Sequence, residues 1–175
     1  EIFSPLTTAS TLCVVPEDIR ADSGNFFNWL AEQKINSAYI PPFMLNDFSD
    51  WLNDNPEKSL LKRLLVGVEP IEEELLRSFI ARIPGLTIIN GYGPSEATIC
   101  STLYTVAPES TVSGRTPIGT AVQNTRLYVL DMGFRPVPRG VPGQLFIGGP
   151  ALARGYMNRD ELTRKRFLTL DHLEA

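Results

Sequence analysis

Short apolar runs alternate with amphipathic segments along the first part of the chain. Apolar, β-branched runs predict strands at residues 11–15, 35–40, 64–66 and 86–89. Apolar residues at helical spacing predict helices at residues 22–33, at 43–52 and after Pro70, the last ending at Pro84 and Gly85. Because strands and helices alternate, we predict a three-layer α/β fold, a largely parallel sheet with helices on both faces.

The pattern changes after residue 110, where short β runs are separated by glycine and proline. Residues 98–106 predict one more strand before this change, and residues 115–149 offer only three or four strands and no helix. A closed barrel needs more strands, so we predict part of an antiparallel β-barrel, followed by a short helix at residues 161–167. The predicted domain boundary separates residues 1–110 from residues 111–175.

Composition and charge disfavour several classes of protein. The apolar fraction of 43% and the charged fraction of 21% are ordinary for a soluble protein, and no apolar run has the length of a membrane span. A net charge of -4 disfavours non-specific nucleic-acid binding, so we expect neither nucleic acid nor membrane as a partner. Cys13 and Cys100 are too few for a zinc site or a disulfide framework, which favours a reducing, cytoplasmic location. His172 is the one histidine, which disfavours a Ser-His-Asp triad.

The chemically richest segment follows the apolar run at residues 86–89. Gly91 and Gly93 allow a backbone to come close to a ligand, and Tyr92 between them offers a flat ring that can stack on a base. Ser95 can donate a hydrogen bond to a phosphate oxygen, and Glu96 can hold a magnesium ion. Strand, turn, aromatic ring, hydroxyl and carboxylate in this order predict a nucleotide site.

The position of this segment in the predicted sheet supports a ligand site. Ligands of parallel sheets bind beyond the carboxyl ends of the strands, and the breaks after Ile40, Val66 and Asn90 would all lie on that edge. Two other interpretations compete. A dinucleotide fingerprint fails because Glu96 replaces its third glycine and residues 98–106 predict a strand where that motif requires a helix. A simple tight turn at Gly-Tyr-Gly-Pro stays open.

Several ordered motifs resemble those of nonribosomal peptide synthetase adenylation domains, members of the adenylate-forming superfamily. Residues 90–96 resemble the motif N-x-Y-G-P-S/T-E, and residues 143–156 resemble G-E-L-x-I-G-G followed by A-R-G-Y. Residues 128–131 and 136–141 match the segments Y-V-L-D and P-V-P-x-G-V. The resemblance implies an internal fragment, with a flavodoxin-like α/β subdomain in residues 1–110 and part of the β-barrel subdomain in residues 111–175.

The resemblance also implies a reaction for the intact parent, an ATP-dependent ligase of secondary-metabolite biosynthesis. An amino acid, or a related keto or hydroxy acid, reacts with ATP and Mg2+ to give an acyl-adenylate and pyrophosphate. The acyl group then passes to the phosphopantetheine thiol of a carrier protein. The implied partners are the small-molecule acid, the peptidyl carrier and condensation domains, and the adenylation subdomains that this chain lacks.

Some of the family's functional parts are absent from the sequence. The Ser-, Thr- and Gly-rich phosphate loop, the amine-binding aspartate, the ribose-binding aspartate and the catalytic lysine are not present, so we expect the fragment itself to be inactive. Two alternatives remain open. The parent could be an acyl-CoA or aryl-acid ligase of the same superfamily, or the chain could be a non-catalytic, adenylation-like binding piece.

The resemblance assigns roles at the nucleotide. Glu96 would ligate Mg2+ and Ser95 would contact the α-phosphate, and both are the implied catalytic residues. Tyr92 would stack on adenine, and the Asn90 amide would face its exocyclic nitrogen. The implied ATP-binding set is Val68, Glu69, Pro70, Asn90, Gly91, Tyr92, Gly93 and Ser95. Val68 departs from the family pattern, because it places a side chain where the backbone usually approaches adenine.

The resemblance also assigns a pocket for the side chain of the acid. The implied substrate-binding set is Tyr39, Leu65, Gly67, Gly91, Ile99 and Cys100. Core packing is the competing interpretation for Leu65, Ile99 and Cys100, and turn geometry is the competing interpretation for the two glycines. An apolar pocket would have to desolvate a charged side chain without a partner, so we expect an uncharged, hydrophobic acid.

Overall fold

The computed structural model of the protein describes residues 3–170 and residue 172. They form two compact units. The first unit runs to residue 91 and includes residues 104–119, and the second comprises residues 92–103 and the chain from residue 120 onward. The predicted domain boundary at residue 110 remains a prediction.

The described residues of the first unit contain five α-helices. They are α1 (Phe3–Thr7), α2 (Glu17–Arg20), α3 (Ser23–Glu32), α4 (Leu45–Asp54) and α5 (Glu73–Arg82). A 3-10 turn, Pro42–Met44, leads into α4. Asp22 caps α3, because its side chain accepts a hydrogen bond from the Asn25 N–H at 2.8 Å. The predicted helices at residues 22–33, at 43–52 and after Pro70 are thus confirmed as α3, α4 and α5.

The strands follow the predicted alternation with the helices. They are β1 (Ser37–Tyr39), β2 (Arg63–Gly67), β3 (Thr87–Tyr92), β4 (Thr102–Thr105) and β5 (Thr120–Ala121), in that order across the sheet. β1, β2 and β3 are parallel, and β5 is antiparallel to β4. This mostly parallel sheet flanked by helices confirms the predicted α/β class.

Aromatic packing forms the centre of the first unit. The rings of Phe27 in α3 and Phe48 in α4 lie 5.1 Å apart, and Phe48 lies 5.2 Å from Phe79 in α5. Leu64 of β2 and Ile88 of β3 are fully buried in the same cluster. Because α3, α4 and α5 each contribute at least one ring to this cluster, the core ties the helices to the strands.

The second unit contains an antiparallel hairpin of β6 (Arg126–Leu130) and β7 (Gln144–Gly148), followed by α6 (Asp160–Arg166). Short antiparallel strands and one short helix are what the sequence predicts after residue 110. No closed barrel occurs in the described part of the chain, so the antiparallel region is at most a portion of one.

One predicted strand is wrong. Residues 11–15 adopt no regular secondary structure, and their side chains are exposed except for the half-buried Val15. A β-branched run forms a strand only when a neighbour supplies ladder hydrogen bonds, and no strand of the described residues pairs with this segment. Elsewhere, β4 and β1 are shorter than predicted. No helix among residues 3–170 is both long and apolar enough to cross a membrane.

Candidate functional site

In the first unit, the ends of β2 and β3 lie unusually close together. Gly67 pairs with Gly91, and its φ of 146° is a conformation that residues with a side chain rarely adopt. A Cβ atom on Gly67 would overlap the carbonyl oxygen of Gly91. The glycine at position 67 is therefore dictated by this backbone approach.

The residue that follows β2 has a strained backbone. Val68 has a φ of 78°, although β-branched residues rarely tolerate positive values, and its side chain is 78% exposed. Glu69 and Pro70 are exposed as well. Strained, exposed backbone of this kind clusters at ligand sites, which is the role predicted for these three residues.

Three further predicted site residues of the first unit are carried by its strands. Tyr39 ends β1 and pairs with the half-buried Leu65 of β2. Asn90 of β3 is only 7% exposed, and its Nδ2 donates a hydrogen bond to the Pro117 carbonyl at 2.8 Å. Because this bond uses the donor end of the amide, Oδ1 is the atom that can accept a hydrogen bond from an amino group.

In the second unit, the chain after Tyr92 folds into a tight turn. Its residues 95–97 form a 3-10 helix, and the N–H groups of Ala97 and Ile99 both donate to the Pro94 carbonyl, at 3.0 and 3.2 Å. A Cβ atom on Gly93 would lie 2.5 Å from the Ile99 carbonyl oxygen. The chain therefore does form the tight turn that the competing interpretation predicts. A tight turn at this position does not exclude a nucleotide site.

This turn exposes several of the predicted site residues. Thr98 and Ile99 have φ values of 59° and 70°, so two β-branched residues in succession adopt the left-handed conformation. Ile99 is 65% exposed, which overturns the core-packing interpretation for this residue. Ser95 is exposed, and Cys100 is half-buried.

Glu96 is held at the centre of a network within the second unit. Its Oε1 accepts a hydrogen bond of 2.5 Å from the hydroxyl of Tyr156. Its backbone carbonyl accepts from the Ala153 N–H at 2.7 Å, and Thr98 Oγ1 donates to the Ala151 carbonyl at 2.7 Å. Three hydrogen bonds thus join the turn to residues 151–156.

The charge of Glu96 is set by the same network. The hydrogen bond from Tyr156 lowers the pKa of Glu96 below its ordinary value of 4.5, and a backbone hydrogen bond and the positive charge of Arg166 act in the same direction. The carboxylate in turn raises the pKa of the Tyr156 hydroxyl above 10.0. At neutral pH, Glu96 is therefore an anion that faces a neutral donor.

The donor set can be tested against the magnesium ion that the sequence predicts. Among the described residues, no group of three or more His, Cys, Asp and Glu side chains could hold a metal ion. Magnesium at nucleotide sites is usually bound by one or two carboxylates together with substrate phosphates and water. An ionised, half-buried Glu96 fits this pattern as a single protein ligand.

The structure groups the predicted residues within each unit. The pairing of β1, β2 and β3 aligns Tyr39 with Leu65 and Gly67 with Gly91, and the turn of the second unit groups residues 92–100. The sequence predicts no role for Tyr156, although this residue belongs to the segment that resembles A-R-G-Y. No local signal could have revealed this role, because the partner of Tyr156 lies 60 residues away.

Comparison with known families identifies the class of protein. The family model described as AMP-binding enzyme matches residues 1–157. The chain therefore belongs to the AMP-binding enzyme family.

Similar proteins narrow this class. The chain is 39% identical over 170 residues to malpibaldin synthetase of Mortierella alpina, covering 97% of this chain and 3% of that protein. It is 34% identical over 169 residues to tyrocidine synthase 3 of Brevibacillus parabrevis, covering 96% of this chain and 2% of that protein. The chain thus spans a small part of the relatives that it matches.

Solved structures agree with this placement. A crystal structure of the nonribosomal peptide synthetase FmoA3 superposes with a TM-score of 0.84 at 27% identity, covering 97% of this chain and 19% of that one. PA1221, described as an NRPS protein containing adenylation and PCP domains, superposes with a TM-score of 0.74 at 27% identity. The match covers 85% of this chain and 30% of that chain. The predicted resemblance to nonribosomal peptide synthetase adenylation domains is confirmed.

Proposed function

We propose that this chain is part of an adenylation domain that activates a carboxylic acid with ATP. The substrate is an amino acid or a related keto or hydroxy acid, the product is an acyl-adenylate, and the acyl group is loaded onto the phosphopantetheine thiol of a carrier protein. Family membership over residues 1–157 and similarity to a protein containing adenylation and PCP domains support this proposal. Carrier and condensation domains of a larger synthetase are the proposed partners.

The observation that carries the proposal is the state of Glu96. This carboxylate is ionised, half-buried and oriented by Tyr156, at a turn that directly follows a strand of a parallel sheet. Ligands bind at this end of such strands. Glu96 would hold Mg2+, which when bound would supply positive charge that offsets the charge developing on the phosphates.

The remaining residues have roles in binding the nucleotide. Tyr92 stacks on the adenine ring, and Asn90 Oδ1 accepts a hydrogen bond from the exocyclic amino group. Ser95 donates its hydroxyl hydrogen to the α-phosphate, while Gly91 and Gly93 keep the backbone close to the ligand. Val68, whose backbone is strained, and its neighbours Glu69 and Pro70 are further proposed adenine-binding residues. These contacts position the α-phosphorus for attack by the carboxylate of the acid.

The residues proposed to bind the acid side chain are mainly uncharged. They are Tyr39, Leu65, Gly67, Gly91, Ile99 and Cys100. The Tyr39 hydroxyl and the Cys100 thiol are the polar groups of this set, which contains no Asp, Glu, Lys, Arg or His. We therefore propose a hydrophobic, uncharged substrate.

An exchange assay tests this function in the protein that contains the chain. Exchange of labelled pyrophosphate into ATP, run with a panel of acids, should respond to hydrophobic amino acids or their keto analogues. Glu96→Gln should lower the exchange rate by about 100-fold, because it removes the charge that holds the metal. The matched control Glu109→Gln changes an exposed carboxylate of the first unit and should leave the rate within about twofold of the original.

Two results of this assay, and one of a separate acyl-transfer assay, would contradict the proposal. An exchange rate that is unchanged in Glu96→Gln would show that Glu96 has no role in the reaction. Absence of exchange with every acid would favour a non-catalytic binding piece. Transfer of the activated acyl group to coenzyme A in place of a carrier protein would favour the acyl-CoA ligase class.

A further inference from the structure

Tyr156 is fixed by contacts from α6 and the residue that follows it. Its backbone N–H donates to Thr163 Oγ1 at 2.9 Å, and its ring meets the ring of Phe167 edge-on at 5.6 Å. Gly155 has a φ of 141°, and a Cβ atom there would lie 2.5 Å from Thr163 Cγ2. The backbone, the ring and the preceding residue are thus all anchored to one helix, which leaves the Tyr156 side chain little freedom.

Glu96 receives less support from its own segment, where one backbone hydrogen bond reaches its carboxylate. It lies in a 3-10 turn of three residues, and a glutamate side chain has three rotatable bonds that a short turn does not restrain. The side-chain hydrogen bond that the structure gives it comes from Tyr156, 60 residues further along the chain. The Ala153 N–H, which donates to the Glu96 carbonyl, holds the backbone of the turn to the same segment.

We propose that Tyr156 is a positioning residue that holds the Glu96 carboxylate ready to bind a magnesium–nucleotide complex, an inference that rests on the function proposed above. The hydroxyl binds Oε1 through a directed hydrogen bond and thereby restricts the orientation of the carboxylate. α6 is then a supporting element of the nucleotide site, although none of its residues is predicted to contact the nucleotide. Thr163 and Phe167 act through Tyr156.

Metal binding tests this inference with a readout that does not depend on turnover. Mn2+ replaces Mg2+ at oxygen ligands, so its binding in the presence of ATP can be followed by electron paramagnetic resonance in the protein that contains this chain. Tyr156→Phe keeps the ring on Phe167 and removes only the hydroxyl. We expect it to raise the Mn2+ dissociation constant by about 3- to 10-fold, because a charge-assisted hydrogen bond is lost.

Steady-state exchange of pyrophosphate should show that these substitutions affect metal binding and not binding of the acid. In Tyr156→Phe, the Mg2+ concentration for half-maximal exchange should rise by a similar factor and kcat should fall, while the KM of the acid stays unchanged. Thr163→Val removes the acceptor of the Tyr156 N–H at nearly constant shape and should act in the same direction, more weakly. Tyr128→Phe is the matched control, since Tyr128 is also half-buried in the second unit, and it should change neither constant.

A double-mutant cycle separates this inference from the proposed function. With Glu96→Gln in place, Tyr156→Phe should add no further loss of Mn2+ binding, because both changes act on one interaction. If Glu96→Gln weakens Mn2+ binding and Tyr156→Phe and Thr163→Val do not, the positioning role is wrong and the proposed function stands. If Glu96→Gln itself leaves Mn2+ binding unchanged, the positioning role of Tyr156 and the proposed function are both wrong. A general loss of stability would raise the KM of the acid as well and would also overturn the positioning role.

Discussion

At the scale of single residues, three β-branched residues with positive φ lie in the segments predicted to touch a ligand, namely Val68, Thr98 and Ile99. Val68 and Ile99 have positive φ values in the left-handed region and exposed side chains. Each position costs conformational free energy of about 1–2 kcal/mol that a glycine would avoid. Strain that persists at exposed, β-branched positions indicates a functional requirement rather than a packing one.

The glycine at the end of β2 gives a stability prediction. Gly67→Ala should lower the free energy of unfolding by about 2–4 kcal/mol, because the new Cβ overlaps the Gly91 carbonyl oxygen and the φ of 146° is strained for alanine. Gly114→Ala is the control, since Gly114 also has positive φ but no heavy atom within 4 Å of a new Cβ. Urea unfolding of the chain should show the larger loss at position 67, and equal losses would contradict the steric argument.

A second residue-scale prediction concerns pH. The pKa of Asp131 lies below its ordinary value of 3.8, chiefly because the Arg135 N–H donates to its carboxylate, with help from the Gly133 N–H. A carboxylate with a lowered pKa stabilises its turn fully above the ordinary value and loses this effect as pH falls through the pKa of the folded state.

Amide hydrogen exchange at Gly133 and Arg135 measures this effect. At pH 7, Asp131→Asn should reduce the protection of both amides, and the difference from the original chain should narrow as pH falls below about 3.8. Asp160→Asn, in α6 of the same unit, should leave both amides unchanged. A difference that stays constant down to the lowest pH would show that the charge of Asp131 has no role.

At the scale of elements, one arginine joins two helices of the first unit. Arg82 of α5 donates to the carbonyl of Ser49 in α4 at 2.9 Å and to Asn53 Oδ1 at 3.0 Å. Its other nitrogens bond to Ser49 Oγ and to Ser78, and its guanidinium carbon lies 5.4 Å from the centre of the Phe79 ring. A planar group with several donors suits this geometry, and an ammonium does not.

Arg82→Lys should therefore lower the free energy of unfolding by about 1–3 kcal/mol despite conserving the charge. Arg20→Lys is the control, because Arg20 forms a single exposed ion pair with Glu17 at 4.0 Å, and its loss should cost less than about 0.5 kcal/mol. Both values follow from urea unfolding at neutral pH. Equal, small losses would show that the α4–α5 contact depends on apolar packing alone.

The sequence predicts elements well where their signal is local. α3 was predicted because Asp22 is a capping residue followed by apolar residues at helical spacing, and both features act within one turn. The segment at residues 11–15 has the composition of a strand and fails as one, since strand formation depends on a neighbour that composition does not encode. The candidate site could be predicted only in part for the same reason. The turn that carries Glu96 has a recognisable local motif, whereas no local pattern encodes the hydrogen bond between Glu96 and the distant Tyr156.

At the scale of the whole molecule, the chain matches only a small part of each synthetase named above. It spans 3% of malpibaldin synthetase and 2% of tyrocidine synthase 3. Its sequence contains one proposed metal ligand and no phosphate loop of the family's type. We therefore expect that the proposed adenylation also draws on residues outside these 175.

This gives a prediction for the chain by itself. The 175-residue chain should show no exchange of pyrophosphate into ATP above background with any acid, whereas the protein that contains it should respond to its own substrate. The assay is the one described for Glu96→Gln, at equal molar concentrations of both proteins. Exchange by the isolated chain would show that the phosphate loop and lysine of the family are dispensable.

The crowding between β2 and β3 restricts how this protein could be re-engineered. A library that randomises position 67 to accept a different acid would consist mainly of destabilised variants, since even one methyl group collides with the neighbouring peptide unit. If the proposed substrate set is correct, changes of selectivity would be expected at Tyr39 or Ile99 instead, whose side chains are 39% and 65% exposed.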